Sequence, residues 1–284
     1  MDYLKDRPQF VRMGASLSRT LCSSVEVPQG TVLSPMLFAL YTTDFLHNTK
    51  ACHIQKFSDD TVIVACIKED KEVEYRQLVQ DFVLWSKQNQ LLLNIRKTKE
   101  LILDFRRQPP LSQPICIYGD LVETVTSYKY LGVVLDKKLD WNENTTLLSK
   151  KCQTRMYFLR RLASFNISTK LLSMFYQSVI EGALLYAVVC WCGTSKKNLT
   201  RLNKIIRRAS SVVGLKLASV EEVAEQRTLS RLQAIMDNVT HPIHEAFSKR
   251  ESSFSSRLLS QRCTTDRLRK SFVPRAIRLH NTLC

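Results

Sequence analysis

The hydrophobic pattern of this 284-residue chain changes character at Trp141, and that change limits the fold more than any single motif does. Before Trp141 the apolar stretches are short and bounded by turn residues. Residues 54–58, 61–67, 100–105, 115–118 and 128–135 read as strands, with Gln108-Pro109-Pro110 and Gln113-Pro114 marking a loop. Helical spacing appears there in two places, 35–47 and 71–90, the second with Tyr75, Leu78, Val79, Phe82 and Trp85 on one face. After Trp141 strand signals stop, and 144–164, 169–191, 197–213 and 220–237 all read as helices. The expected fold class is α+β: a mixed unit over 1–141, an all-helical region over 142–240 and a basic tail over 241–284.

Charge follows the same division. Residues 1–141 hold 18 basic and 17 acidic side chains, a net of +1, whereas 142–284 hold 24 basic and 9 acidic, a net of +15. The first half is close to neutral and the second is composed to meet a polyanion. Lys196, Lys197, Arg201, Lys204, Arg207 and Arg208 share a segment with no acid, in which Leu199, Leu202, Ile205, Ile206 and Ala209 recur at helical spacing. Lys150, Lys151, Arg155, Arg160 and Arg161 load a second expected helix in the same way. Neutralising phosphates with release of counterions is the use such faces suggest; a solvated helix face is the bland alternative. The stretch from Ser248 to Cys284, rich in serine and with nine basic and two acidic residues, is expected to be loosely ordered.

Several classes are excluded by composition. The longest apolar run, Ala183 to Cys192, is too short to span a bilayer, and the N-terminus is charged and polar, unlike a secretory signal. The nine cysteines are scattered, and apart from Cys190 and Cys192 none form a close pair, so reduced thiols in an intracellular protein are expected. His241 and His244 flank Pro242, which argues against a helical metal pair. Seven dispersed glycines make no dinucleotide loop. At 44% hydrophobic content the chain can bury a substantial core.

Within the mixed half, two adjacent acids stand out. Asp59 and Asp60 lie between apolar stretches in Gln55-Lys56-Phe57-Ser58-Asp59-Asp60-Thr61-Val62, a place where carboxylates sit at a hairpin tip. An isolated Asp-Asp there is most often a structural turn, because the short side chain bonds nearby amides. Upstream, Val27-Pro28-Gln29-Gly30 feeds a segment beginning Leu33-Ser34-Pro35, with Ser34 the expected N-cap and Pro35 in the first turn. Gly30 is the residue a backbone needs to approach a ligand closely.

Taken together, Gln29-Gly30, Leu33-Ser34-Pro35 and Phe57-Ser58-Asp59-Asp60 resemble the fourth and fifth conserved blocks of reverse transcriptases, above all those of non-LTR, LINE-type, jockey-like retrotransposons. The order downstream agrees: Trp85 to Phe105, with Asn94, Lys97, Thr98 and Lys99, resembles the next palm block. Tyr128-Lys129-Tyr130-Leu131-Gly132-Val133 resembles the primer-grip hairpin, and Ser271 to Arg278 the tail of such elements. The resemblance implies a partial palm, an antiparallel sheet with helices, followed by a helical thumb-like region. It implies Asp59 and Asp60 as catalytic magnesium ligands, and Gln29, Gly30 and Lys97 near the nucleotide. Tyr128, Lys129, Tyr130, Leu131 and Gly132 would then grip the primer, with an RNA and DNA template–primer duplex on the basic helices.

One departure shapes the expected activity. The family carries a further metal-binding aspartate on a palm strand well before the Gln-Gly block, together with the fingers, and here 28 residues precede Gln29. Asp2 and Asp6 resemble the segment after that strand, Asp44 reads as a solvated acid, and Glu26 stands where the family usually has glycine. The expectation is a chain lacking fingers and the first catalytic aspartate, inactive alone, with magnesium held weakly or lost, and in need of a complementing polypeptide or oligomer. An apolar strand such as 61–67 left without a neighbour predicts poor solubility. The alternative is a nucleic-acid-binding module without catalysis. Residues 115–195 also resemble the N-terminal segment of an AlkB-type homologue, but no His-x-Asp pair exists for a non-haem iron triad.

Overall fold

The structure is a computed structural model, and it describes residues 5–23, 30–47, 51–67, 72–107, 113–250, 252 and 254–283. Asp2, Glu26, Gln29 and Gln108-Pro109-Pro110 lie outside the described residues. The chain divides into two compact units, Met1–Lys99 with Pro110–Glu123, and Glu100–Pro109 with Thr124–Cys284.

The first unit mixes short strands and two helices. Strand β1 (Arg7–Gln9) pairs antiparallel with β4 (Leu21–Ser23), and between them β2 (Arg12–Met13) pairs with β3 (Ser16–Leu17). These strands escaped sequence reading because they are two or three residues long and show no alternation. Helix α1 (Ser34–Tyr41) follows, and its start differs from expectation: Leu33 occupies the N-cap in right-handed conformation without a cap bond. The Ser34 hydroxyl instead lies 2.5 Å from the Thr31 hydroxyl. The helix also ends at Tyr41 rather than 47. The Thr42 hydroxyl donates to the Phe38 carbonyl at 3.0 Å and the Thr43 hydroxyl to that of Leu40 at 2.7 Å, satisfying the last-turn acceptors locally.

Strands β5 (Cys52–Phe57) and β6 (Asp60–Ala65) then form an antiparallel hairpin in which Cys52 faces Ala65 and Phe57 faces Asp60. It is a two-stranded sheet, with Phe57 at 59% and Val64 at 53% exposure. Helix α2 (Val73–Gln88) buries Leu78, Val79, Phe82 and Val83, the face read from its spacing. Val79 and Val83 pack with Ile115, Ile117 and Val122, which flank β8 (Cys116–Ile117) and β9 (Asp120–Leu121) or lie within them. The expected strand at 100–105 is shorter, β7 (Lys99–Leu101), and β10 (Glu123–Val125) follows β9.

The second unit is helical but begins with a hairpin. The expected strand 128–135 is two strands, β11 (Ser127–Tyr130) and β12 (Val133–Asp136), because Leu131 and Gly132 both take left-handed φ, 44° and 85°, and reverse the chain in two residues. The Asp136 carboxylate accepts from the backbone N–H of Lys138, Asp140 and Trp141, which organises the corner leading into α3 (Asn142–Ala163).

The expected helix 169–191 is interrupted. It runs as α4 (Thr169–Phe175), a π turn (Tyr176–Glu181), α5 (Gly182–Leu184) and, after left-handed Ala187, α6 (Val188–Trp191). Tertiary donors account for the interruption. The Arg155 guanidinium donates to the Val179 carbonyl, and Arg227 donates to that of Leu185 at 2.8 Å, so these acceptors are satisfied outside the ladder.

Helix α7 (Lys196–Val213) begins at Ser195, whose side chain accepts from the Asn198 N–H, and ends at Gly214 with φ 77°. Helix α8 (Val220–Met236) opens with a capping box between Ser219 and Glu222. These helices enclose a core that includes Met156, Leu159, Tyr176, Ile180, Leu184, Trp191, Leu202, Ile206 and Ala209.

The tail is not loosely ordered throughout. After α9 (Glu245–Ser248) and α10 (Asp266–Lys270), α11 (Phe272–Leu283) buries Ala276 and Ile277 against Leu232, Ile235, Phe247 and Leu258. The Asn281 side chain bonds both the N–H and the carbonyl of Leu258, at 2.9 and 2.8 Å. The basic composition masked an apolar stripe of 3.6-residue period.

Candidate metal and nucleic-acid site

Cross-strand pairing of Phe57 with Asp60 leaves Ser58 and Asp59 as a two-residue loop, with Ser58 at φ 53°. The hairpin therefore presents Asp59 in its turn and Asp60 at the first residue of β6, both exposed. Two adjacent exposed carboxylates suit one hard cation whose remaining ligands are water and phosphate. They do not bridge a pair of ions, which takes carboxylates from separate strands. Among the described residues no group of three His, Cys, Asp or Glu could hold a metal ion.

Sequence reading missed what steadies this hairpin. Lys56, beside Phe57 on β5, donates from its amine to the Thr42 carbonyl at the C-cap of α1. The same amine lies 4.7 Å from the Trp85 ring and 5.6 Å from the Phe45 ring. Trp85 Nε1 donates to Asp44 at 3.1 Å, and Phe45, Phe82 and Trp85 stack or meet edge-on. Burial lowers the Lys56 amine below its ordinary value, and the Asp44 carboxylate opposes that shift. Asp44, read as a solvated acid, is exposed and also holds the indole. A basic residue three positions before an aspartate carries no signature that would have singled it out.

Gly30 has φ 78° and nothing within 4 Å of a Cβ position, so backbone conformation rather than space calls for glycine there. Gln29 is outside the described residues. Lys97 is exposed in the turn after α2, where its N–H donates to the Asn94 carbonyl and to Asn94 Oδ1, each at 3.1 Å.

In the second unit, Tyr128 and Lys129 of β11 are exposed, while Tyr130 and Leu131 are half-buried. Tyr186 donates from its hydroxyl to the Leu131 carbonyl at 2.9 Å. Of the basic helix residues, Lys150, Lys151, Lys196, Lys197, Lys204, Arg207 and Arg208 are exposed. Arg155 and Arg201 are committed to the protein instead. Arg155 braces the π turn, and Arg201 donates to Thr145, Thr146 and Asn198 at 3.1–3.3 Å. At helical spacing Lys197, Lys204 and Arg208 fall on one outer stripe of α7, opposite buried Leu202 and Ala209.

A family model described as reverse transcriptase (RNA-dependent DNA polymerase) matches residues 3–135, the span that contains both Gly30 and the acid hairpin. Over residues 3–135 the chain is thus similar to reverse transcriptases. The similarity extends to RNA-directed DNA polymerases of mobile elements. The chain is 25% identical over 268 residues to a protein of Drosophila melanogaster named probable RNA-directed DNA polymerase from transposon BS, covering 90% of this chain and 28% of that one. It is 22% identical over 223 residues to the probable RNA-directed DNA polymerase from transposon X-element of the same fly, covering 74% of this chain and 24% of that one. Identity is also 22% over 223 residues to the RNA-directed DNA polymerase from mobile element jockey, with 73% and 24% covered. The chain thus spans about a quarter of the length of these curated relatives.

A second family model, described as alkylated DNA repair protein alkB homolog 8, N-terminal, matches residues 141–182, a narrower span than 115–195. That span holds neither histidine nor aspartate, so it offers no iron triad. No solved structure matches the chain. Among the described residues no helix is long and apolar enough to cross a membrane.

Proposed function

We propose that residues 1–284 form the acid-hairpin and helical portion of a retrotransposon RNA-directed DNA polymerase, with a palm-like part over 1–141, a thumb-like part over 142–240 and a C-terminal part over 241–284. The observation that carries the reading is the family match over 3–135, within which the β5–β6 hairpin presents Asp59 and Asp60 at its tip. In this reading the two carboxylates hold a divalent cation. Such an ion would supply the charge that activates the primer hydroxyl and stabilises leaving pyrophosphate. Gln29 and Gly30 line the nucleotide site and Lys97 meets its phosphates. Tyr128 to Gly132 holds the primer end, and Lys150, Lys151, Lys196, Lys197, Lys204, Arg207 and Arg208 lie along the template–primer backbone.

Taken alone, the polypeptide 1–284 does not extend a primer, because two neighbouring carboxylates leave the bridging position for a second ion unfilled. Supplying in trans the part of a related polymerase that precedes the matched region restores extension, and Asp59→Asn abolishes it. Extension that survives Asp59→Asn would remove the acid pair from the chemistry.

A second reading, a nucleic-acid-binding module without catalysis, is favoured by the self-contained core of the helical unit beneath its basic faces. The two readings differ in what complementation does. Under the second, duplex binding is strong and no added polypeptide restores extension.

A further inference from the structure

We propose that Tyr186 is a positioning residue for the primer-grip hairpin, fixing the Leu131-Gly132 turn in the geometry that meets a primer 3′ end. The inference rests on the reading of Tyr128 to Gly132 as that grip. The turn needs support, since Leu131 carries a side chain at φ 44°, a region that L residues seldom adopt. Tyr186 supplies it in two ways. Its hydroxyl donates to the Leu131 carbonyl at 2.9 Å. Its ring lies over Gly132, where an added Cβ would come within 3.3 Å of Tyr186 Cε1.

Tyr186 is itself held in place by the interruption of the helix around it. Ala187 at φ 50° turns the chain, fully buried Trp191 donates from Nε1 to the Tyr186 carbonyl at 2.8 Å, and Arg227 holds the preceding Leu185 carbonyl. The side chain is 51% exposed, so it fills no core position whose loss would open a cavity. Its geometric consequence falls on the turn.

The test uses residues 1–284 with fluorescein-labelled nucleic acid. Anisotropy titrations compare a primer–template with a recessed 3′ end against an uninterrupted duplex of equal length. The wild type prefers the recessed end. Tyr186→Phe, which keeps the ring and removes one hydrogen bond, lowers that preference about threefold while leaving affinity for the uninterrupted duplex unchanged. Gly132→Ala, strained at φ 85° and crowding the ring, lowers it at least as far. A Tyr186→Phe protein with undiminished preference overturns the proposal, as does equal weakening on both duplexes. A wild type that shows no preference for the recessed end refutes the primer-grip reading itself, and the role of Tyr186 with it.

Discussion

The unit that carries Asp59 and Asp60 and the helical unit use their apolar residues differently. In the first, Val79, Val83, Ile115, Ile117 and Val122 form a small cluster, α1 buries none of its residues, and the β5–β6 hairpin keeps Phe57 and Val64 more than half exposed. In the second, a core from Cys152 to Ala224 encloses Trp191, Tyr176 and Ile180 almost completely, beneath helices whose outer faces are basic. The residues proposed for chemistry thus stand on a thin scaffold, and those proposed to hold a polyanion stand on a thick one. A basic helix needs its own packed underside, whereas the acid hairpin needs only its single backbone ladder and whatever covers it.

The largest effect expected from this contrast is on stability. Trp191→Ala costs about 3–5 kcal/mol in chemical denaturation, because it empties a fully enclosed site, while Ile117→Ala lies near the lower end of about 2–5 kcal/mol. Equal costs would erase the distinction between the two cores. Next in size is the cap of α8. Ser219→Ala removes about 1 kcal/mol.

The Glu222 carboxylate of that cap, accepting from the Ser219 N–H at 2.7 Å, is held below its ordinary range mainly by that backbone bond. A depressed carboxylate contributes stability above its unfolded value, about 4.3 for glutamate, and loses it as pH falls through the lower folded value. Glu222→Gln therefore flattens the acid limb of a stability–pH curve, and an unchanged limb would show that the bond adds nothing. The smallest effect is at the hairpin tip. Asp59→Asn alters stability by no more than about 0.5 kcal/mol, since the side chain is exposed in the turn.

Much of the helical unit was legible because its start and stop signals are local. Ser195, Ser219 with Glu222, and Gly214 each act through atoms within a few residues, so α7 and α8 lie within one residue of where spacing put them. The interruption of 169–191 was not legible, since Arg155 and Arg227 act from 24 and 42 residues away. The tail helix α11 was hidden by composition, its buried Ala276 and Ile277 set among Arg275 and Arg278.

At the candidate site the acid pair was visible from its flanking strands, but its meaning came from resemblance. Exposure of both carboxylates by itself says nothing about metal, and their role as ligands is a proposal that rests on the resemblance. Lys56 and Tyr186 stayed invisible because each acts on a distant carbonyl, Thr42 or Leu131, that only the fold brings near.

The division of labour between the two units is tested most directly by duplex affinity across a salt series, measured on residues 1–284 with substitutions in one unit at a time. Lys204→Gln with Arg208→Gln should reduce the magnitude of the negative slope of log affinity against log salt by about 1.8, about 0.9 for each phosphate that is no longer neutralised. Asp59→Asn with Asp60→Asn should leave that slope unchanged. A slope that stays fixed when the α7 cations are removed, or whose magnitude falls when the hairpin acids are neutralised, would contradict the account.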